Sequence, residues 1–326
     1  MKSSMLSDLK RMSPKHKNLK FIYYGRNYLL DLIPRSWTST SWMHILGGID
    51  KKEEEYINSR VNYYNRLPEN VSLEPDAISL NAFKRKEHLK VYYFDFMEIA
   101  RLFPTNLKVH PLFGDIDYSA SRPSITKSRP VNGDNSLSVI MKLERIRHFM
   151  FIKDRIPFEA KKNMLVGRGK IKKEHRIRFF QMYFGHPMCN LGEVARHTAF
   201  PQWKNNRMTI DEHLQYKFIL CLEGNDVASN LKWVMSSNSL AVMPKPKFET
   251  WFMEGTLIPD YHYVLIKDDY SDLEERLNFF IQNPGEANRI LENAHKYVNQ
   301  FRNRKRERKI SVLVLREYFR KTGQLK

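Results

Sequence analysis

The chain has 326 residues and a mass of 38.9 kDa, which suits one large domain or two of medium size. Its 42% hydrophobic content is enough for a real core and excludes wholesale disorder. With 55 Lys and Arg against 36 Asp and Glu, the formal net charge is +19, which favours nucleic acid, an acidic membrane surface or phosphorylated small molecules as partners.

The first 20 residues are polar and basic and read as a loose arm or short helix, without the apolar run of a secretory signal. Residues 51–66 carry helix formers, and Pro68 stops the run. Around residues 89–96, Val91, Tyr92, Tyr93 and Phe94 predict a strand. Residues 114–135 are rich in Gly, Pro, Ser, Asp and Asn and read as a loop of 22 residues; a loop this long inside a compact protein points to function. Met164-Leu165-Val166 predicts a short strand that Gly167-Arg168-Gly169 breaks, and a helix follows over 174–184. Tyr216–Leu222 is a continuous apolar run, the pattern of a strand buried on both faces. Glu223–Asp226 turns the chain into a helix over 227–237, followed by a strand at 239–243. Residues 247–254 read as helix, 262–266 as strand and 271–281 as helix, with Ser271 and Glu274 at capping-box spacing. Helices over 286–301 and 310–320 complete the chain. No run reaches the roughly 18 apolar residues of a membrane span. The alternation after residue 160 predicts a parallel sheet covered by helices, with ligands beyond the carboxyl ends of its strands.

Two cysteines, Cys189 and Cys221, exclude a disulfide scaffold and a cysteine-rich zinc module, and fit a reducing compartment. The 11 histidines are scattered, and no H-E-x-x-H or G-x-S-x-G occurs. Phe113-Gly114-Asp115-Ile116-Asp117 offers a general base, a D-x-D pair for a divalent cation on a nucleotide diphosphate, or an ordinary Asx turn. Lys127-Ser128-Arg129 can form surface ion pairs or hold phosphate. Arg168, Lys170, Lys172, Lys173 and Arg176 crowd a helix entrance. Cations oppose the helix dipole there, and a bound phosphate resolves that conflict. Gly224-Asn225-Asp226 is either an anion-binding turn at a helix start or a turn with Asp226 as N-cap. Arg302–Lys309 is the densest basic run, a solvated face or a membrane contact.

These residues resemble glycosyltransferase family 90, which includes bacterial lipopolysaccharide-modifying transferases, fungal capsule xylosyltransferases and Rumi-type protein O-glucosyltransferases. The resemblance rests on Phe-Gly-Asp at 113–115 with Lys-Ser-Arg-Pro-Val at 127–131, Gly-Arg-Gly at 167–169 with Arg176, and the block from Tyr216 to Trp233. Ser-Asn-Ser-Leu at 237–240 and His-Tyr-Val-Leu-Ile-Lys-Asp-Asp at 262–269 extend it. It covers roughly residues 85–320 and is strongest toward the bacterial members. It implies an α/β, GT-B-like fold of two Rossmann-type lobes with parallel sheets flanked by helices. Residues 1–150 then form the acceptor-side lobe with its basic arm, 151–305 the nucleotide-sugar lobe, and 306–326 a helix packing back on the first lobe. The implied reaction is inverting, metal-independent transfer from a nucleotide-sugar, usually a UDP-sugar, with no other cofactor. The acceptor is a hydroxyl of a lipid-linked or oligosaccharide surface glycan. Asp115 matches the family's base. Arg168, Gly169, Arg176, Lys127, Ser128, Arg129, Gly224, Asn225, Asp226, Ser229, Asn230 and Lys232 are the donor-binding positions. Gly167 stands where the family carries an aromatic residue, and Asn230 where protein-glucosylating members carry an arginine. The expected location is the cytoplasm, and the charge allows attachment to the inner face of the membrane. The competing readings are a nucleic-acid-binding protein using its basic, aromatic-rich surface, for which no signature is found, and a metal-dependent D-x-D transferase.

Overall fold

The computed structural model describes residues 19–46, 51–88 and 90–325. The expected basic arm lies outside them up to residue 18. Five parallel strands form the main sheet in the order Val264–Leu265, Leu240–Met243, Tyr216–Leu220, Lys162–Gly169 and Cys189–Glu193. Tyr216–Leu220 is central and buried along its whole length, as a continuous apolar run demands. Successive side chains point to opposite faces. Leu165, Phe218, Leu220 and Val242 join Phe179, Leu277 and Ile290 in one core. Val166, Ile219, Ala241 and Met243 face a second core shared with the front half of the chain. Helices Glu174–Tyr183, Leu273–Gln282 and Pro284–Asn299 supply the cover of the first core.

The front half holds three short parallel strands, Pro111–Leu112, Ser124–Thr126 and Ser138–Ile140, with helices Lys51–Tyr64 and Lys90–Ala100. Antiparallel pairing of Ser128–Pro130 with Phe248–Thr250 stitches the front to the rear. The last helix, Arg304–Lys321, packs on Lys51–Tyr64. At its first turn, the buried Glu307 takes Arg60 at 3.1 Å, Lys142 at 3.0 Å and the Trp251 indole N–H at 2.6 Å. A buried carboxylate persists only with such partners. The result is an α/β architecture with parallel sheets flanked by helices, consistent with a GT-B-like fold. Among the described residues, no helix is long and apolar enough to cross a membrane.

Several elements differ from the sequence pattern. Lys90–Ala100 is a helix, and eight of its eleven residues are buried; enclosure on nearly every side overrides the local β preference of Val91–Phe94. The strand from Lys162 runs through Gly169, because Gly167, Arg168 and Gly169 pair with Leu191, Gly192 and Glu193. Phe248–Thr250 is a strand rather than helix. The loop at 114–135 contains the strands Ser124–Thr126 and Ser128–Pro130. Gly224 leads into turns and then the four-residue helix Leu231–Val234, which follows Asn230. The turn at 224–226 is therefore not a helix start, and Asp226 is not an N-cap. Ser271 bonds Asp269 instead of capping, and the helix starts at Leu273. Pro284 opens a helix rather than separating two, because its missing N–H is unused in a first turn.

Candidate active site

A cavity of about 840 Å³ opens where the front loop meets the carboxyl ends of the rear strands. Gly167–Lys173, Leu220, Leu222 and Gly224–Val227 line it from the rear; Asp115, Arg147 and Met150 line it from the front.

Asp115 reaches this cavity through its neighbours. Phe113 is held by Tyr92, with ring centroids 5.7 Å apart, and by Phe96 at 5.8 Å. Gly114 then takes φ +140°, a backbone that side-chain-bearing residues rarely adopt. The Asp115 carboxylate accepts a hydrogen bond from Lys127 Nζ, and Tyr92 Oη lies 3.4 Å away on the same oxygen, Oδ1. Lys127 is 2% exposed and also sits 2.7 Å from Asp226 and 3.5 Å from Glu144. Burial raises the Asp115 pKa, but the hydrogen bond and positive charge of Lys127, helped by Arg147, together outweigh it and hold the carboxyl below its ordinary value. Burial weakens the Lys127 ammonium, yet Asp226 and Asp115 together raise its pKa. Glu144 is held low despite burial, by His148, Lys127 and Arg147. Lys127 thus bridges the front carboxylate to the rear turn. Asp226 Oδ2 is buried with no aligned hydrogen bond, so the bridge to it is an ion pair.

The rear wall is strongly cationic. Arg168, Lys170, Lys172, Lys173, Arg176 and Arg207 line it, Arg147 faces them, and the only carboxylates among the lining residues are Asp115 and Asp226. The two expected arginine clamps are largely committed to the backbone. Arg168 donates to the carbonyls of Gly167, Asn190 and Asn206 and to Asn190 Oδ1. Arg176 donates to the carbonyls of Lys170, Leu222 and Glu223. A guanidinium has five N–H groups, so Arg168 retains one and Arg176 two. Lys170 and Lys172 make no ion pair among the described residues, whereas Lys173 lies 3.7 Å from Asp117. A side chain at Gly167 is tight: a Cβ would meet Leu191 at 3.0 Å and Leu220 at 3.1 Å, so those leucines would have to give way by a few tenths of an ångström.

The structure brings Asp115, Arg168, Gly169, Arg176, Gly224, Asn225, Asp226, Ser229 and Asn230 to one cavity, with Lys127 directly behind Asp115. Asn230 is partly used, since its Nδ2 donates to the Leu220 carbonyl. Three of the expected donor positions, Ser128, Arg129 and Lys232, do not line this cavity. Ser128 is buried and bonds both the N–H and the carbonyl of Ile116, fastening the Asp115 loop. Arg129 is fully buried, bonded to Glu249 at 2.8 Å and to the carbonyls of Tyr63, Tyr64 and Ser138. Lys232 is fully buried against Glu254. Each is enclosed and spends its polar groups on the framework, away from the cavity. Sequence reasoning missed Arg147, Arg207, Glu144 and Tyr92; in a chain with 55 Lys and Arg, nothing local marks these two arginines.

A family model for glycosyl transferase family 90 matches residues 148–320. Over 303 residues the chain is 39% identical to O-glucosyltransferase LpsA of Dichelobacter nodosus, an alignment covering 92% of this chain and 95% of that protein. A shorter stretch of 127 residues is 28% identical to uncharacterized protein 027R of Frog virus 3, covering 37% of this chain and 13% of that protein. Family model and relative make the chain a glycosyltransferase. It belongs to glycosyl transferase family 90.

Proposed function

We propose that this enzyme transfers a sugar, with inversion, from a nucleotide-sugar of the UDP class to a hydroxyl of a lipopolysaccharide or related surface glycan. The observation that carries the reading is the cavity itself: seven lysines and arginines against two carboxylates, one of which belongs to the front half. Such a lining suits a diphosphate on the rear wall, and the relative named O-glucosyltransferase supports sugar transfer. Asp115, ionised at neutral pH, accepts the acceptor's proton as the new C–O bond forms and the bond to phosphate breaks. The leaving nucleotide takes the electron pair, and the remaining N–H groups of Arg176 with Lys170 and Lys172 receive its charge. Asp115 and Asp117 are each paired with a lysine, which supports metal-independent transfer over the D-x-D reading, because ammonium groups compete for the oxygens a cation needs. The net charge of +19 supports work at an anionic membrane surface on a lipid-linked acceptor.

The test is Asp115→Asn. Its turnover, followed as nucleotide release from UDP-sugar with acceptor present, should fall about 10²–10⁴-fold. UDP affinity should stay at or above the wild-type level, since one negative charge leaves a site for an anion. Turnover at the wild-type rate would overturn the assignment of the base.

A further inference from the structure

The helix Lys20–Leu32 is amphipathic with its apolar side turned outward. It docks on the front half through polar groups and tyrosine rings: Tyr23 Oη donates to Asp95 at 2.7 Å, Asn27 is buried, Asp31 accepts from Tyr93 Oη at 2.8 Å, and Tyr24 and Tyr28 pack on Phe94. The opposite side carries Phe21, Ile22, Leu29 and Leu32, exposed by 86%, 56%, 68% and 79%, with Tyr28 beside them. At about 100° per residue these five positions fill a sector of about 120°. Trp37, 78% exposed, follows just beyond the helix. Among the described residues, nine of the fifteen large exposed hydrophobics lie between Leu19 and Met43. Soluble surfaces scatter such residues singly, so this concentration marks a contact surface.

Shape and charge select the occupant. The apolar sector is the convex side of a helix; exposed Arg26, which pairs with Glu98 at 3.3 Å, borders it, and exposed Lys20 stands at the helix's N-terminal end. Residues 1–37 hold eight lysines and arginines against two acidic residues. A convex apolar stripe within a strongly basic segment, with a neighbouring tryptophan, matches the boundary between headgroups and acyl chains of an anionic bilayer. We propose that the helix Lys20–Leu32, together with Trp37, lies in the interface of an anionic lipid bilayer, with Phe21, Ile22, Leu29 and Leu32 among the acyl chains. This rests on the reading of a membrane-surface enzyme and deepens it. Attachment by charge alone vanishes in high salt, whereas an inserted helix resists it.

The experiment is flotation of the purified full chain with phosphatidylglycerol–phosphatidylcholine vesicles at about 0.1 M and about 1 M salt, where the Debye length is about 10 Å and about 3 Å. Wild type should float at both. The variant Phe21→Ser/Leu29→Ser/Leu32→Ser changes exposed side chains only. It should lose about a hundredfold in partitioning at high salt, yet release nucleotide at the wild-type rate with a water-soluble acceptor. Brominated lipid should quench wild-type fluorescence more than that of Trp37→Phe. A triple variant that partitions like wild type overturns the helix assignment and leaves the membrane reading standing. Wild type that floats at low salt only also overturns the helix and leaves attachment by charge. Wild type that floats at neither salt overturns both, while sugar transfer is untouched. A triple variant that turns a dimer into a monomer assigns the face to a second copy and overturns the proposal.

Discussion

Lys127→Met removes the one ammonium that three carboxylates share. In the native protein it touches Asp115 and lies 2.7 Å from Asp226 and 3.5 Å from Glu144. Two unit charges about 4 Å apart attract by about 4 kcal/mol at an effective dielectric of about 20. Asp226 is 5% exposed and keeps most of that, whereas Asp115 is 29% exposed and loses part of it to solvent. Removing one member of such a buried cluster should therefore destabilise the fold by about 3–5 kcal/mol at neutral pH. The sign with pH follows from the depressed Asp115 pKa. Its contribution is complete above about pH 4 and is lost as pH falls through the lowered value. The gap between wild type and variant should be widest at neutral pH and narrow on acidification. Urea unfolding at neutral and acid pH measures the gap. In catalysis, the acid limb of kcat/KM should move to higher pH, because the base has lost the cation that keeps it ionised. A gap independent of pH, together with an unmoved acid limb, would refute the bridging role.

Other consequences are shorter. Burial pushes Glu223 up to about 7, although it accepts the N–H groups of Lys247 and Phe248. The folded state's advantage is then complete below about pH 4.3 and lost as pH rises through about 7. Glu223→Gln keeps the acceptor oxygen and should flatten the fall in Tm between about pH 5 and about pH 8; an unchanged slope contradicts this. Among the described residues, Arg129→Met leaves the buried Glu249 with only the Tyr63 hydroxyl and Arg66 at 3.9 Å and should cost about 3–5 kcal/mol in urea unfolding while the folded fraction binds UDP normally. Lost UDP affinity at unchanged stability would return Arg129 to the donor site. Lys170→Ala with Lys172→Ala should raise the donor KM without moving Tm. Arg176→Lys should lower Tm as well, since a lysine cannot span three carbonyls; equal effects from the two changes would refute that division.

The rear half was the legible half. Tyr216–Leu222 announces a buried central strand by composition alone, and the alternation around it predicts the parallel sheet. The front half was not, because its structure depends on contacts far apart in sequence. Lys90–Ala100 has strand formers yet is a helix. Ser128–Pro130 is a strand because Phe248–Thr250 arrives to pair with it. The same limit applies to the site. Asp115 and the 167–176 run stand out in sequence, and both reach the cavity. Arg129 and Lys232 look equally cationic, but only their enclosure beside Glu249 and Glu254 shows that they hold the framework. Charge is visible in sequence; the partner that neutralises it is not.

In the proposed reaction, the placement of Lys127 lets a carboxylate with a lowered pKa serve as the base. Its ammonium and the Tyr92 hydroxyl both fall on Asp115 Oδ1, and no hydrogen bond reaches Oδ2 among the described residues. One oxygen is thus fixed while the other stays available to an acceptor hydroxyl. A sugar hydroxyl is a poor acid until the new C–O bond begins to form, and then becomes a strong one. The base needs to be ionised and correctly aimed more than it needs to be strong. Because Lys127 also reaches Asp226, the aim of the proposed base is tied to the turn beside the cationic wall. Asp226→Asn should therefore lower kcat more than it raises the donor KM, since the turn persists while the aim of the base loosens.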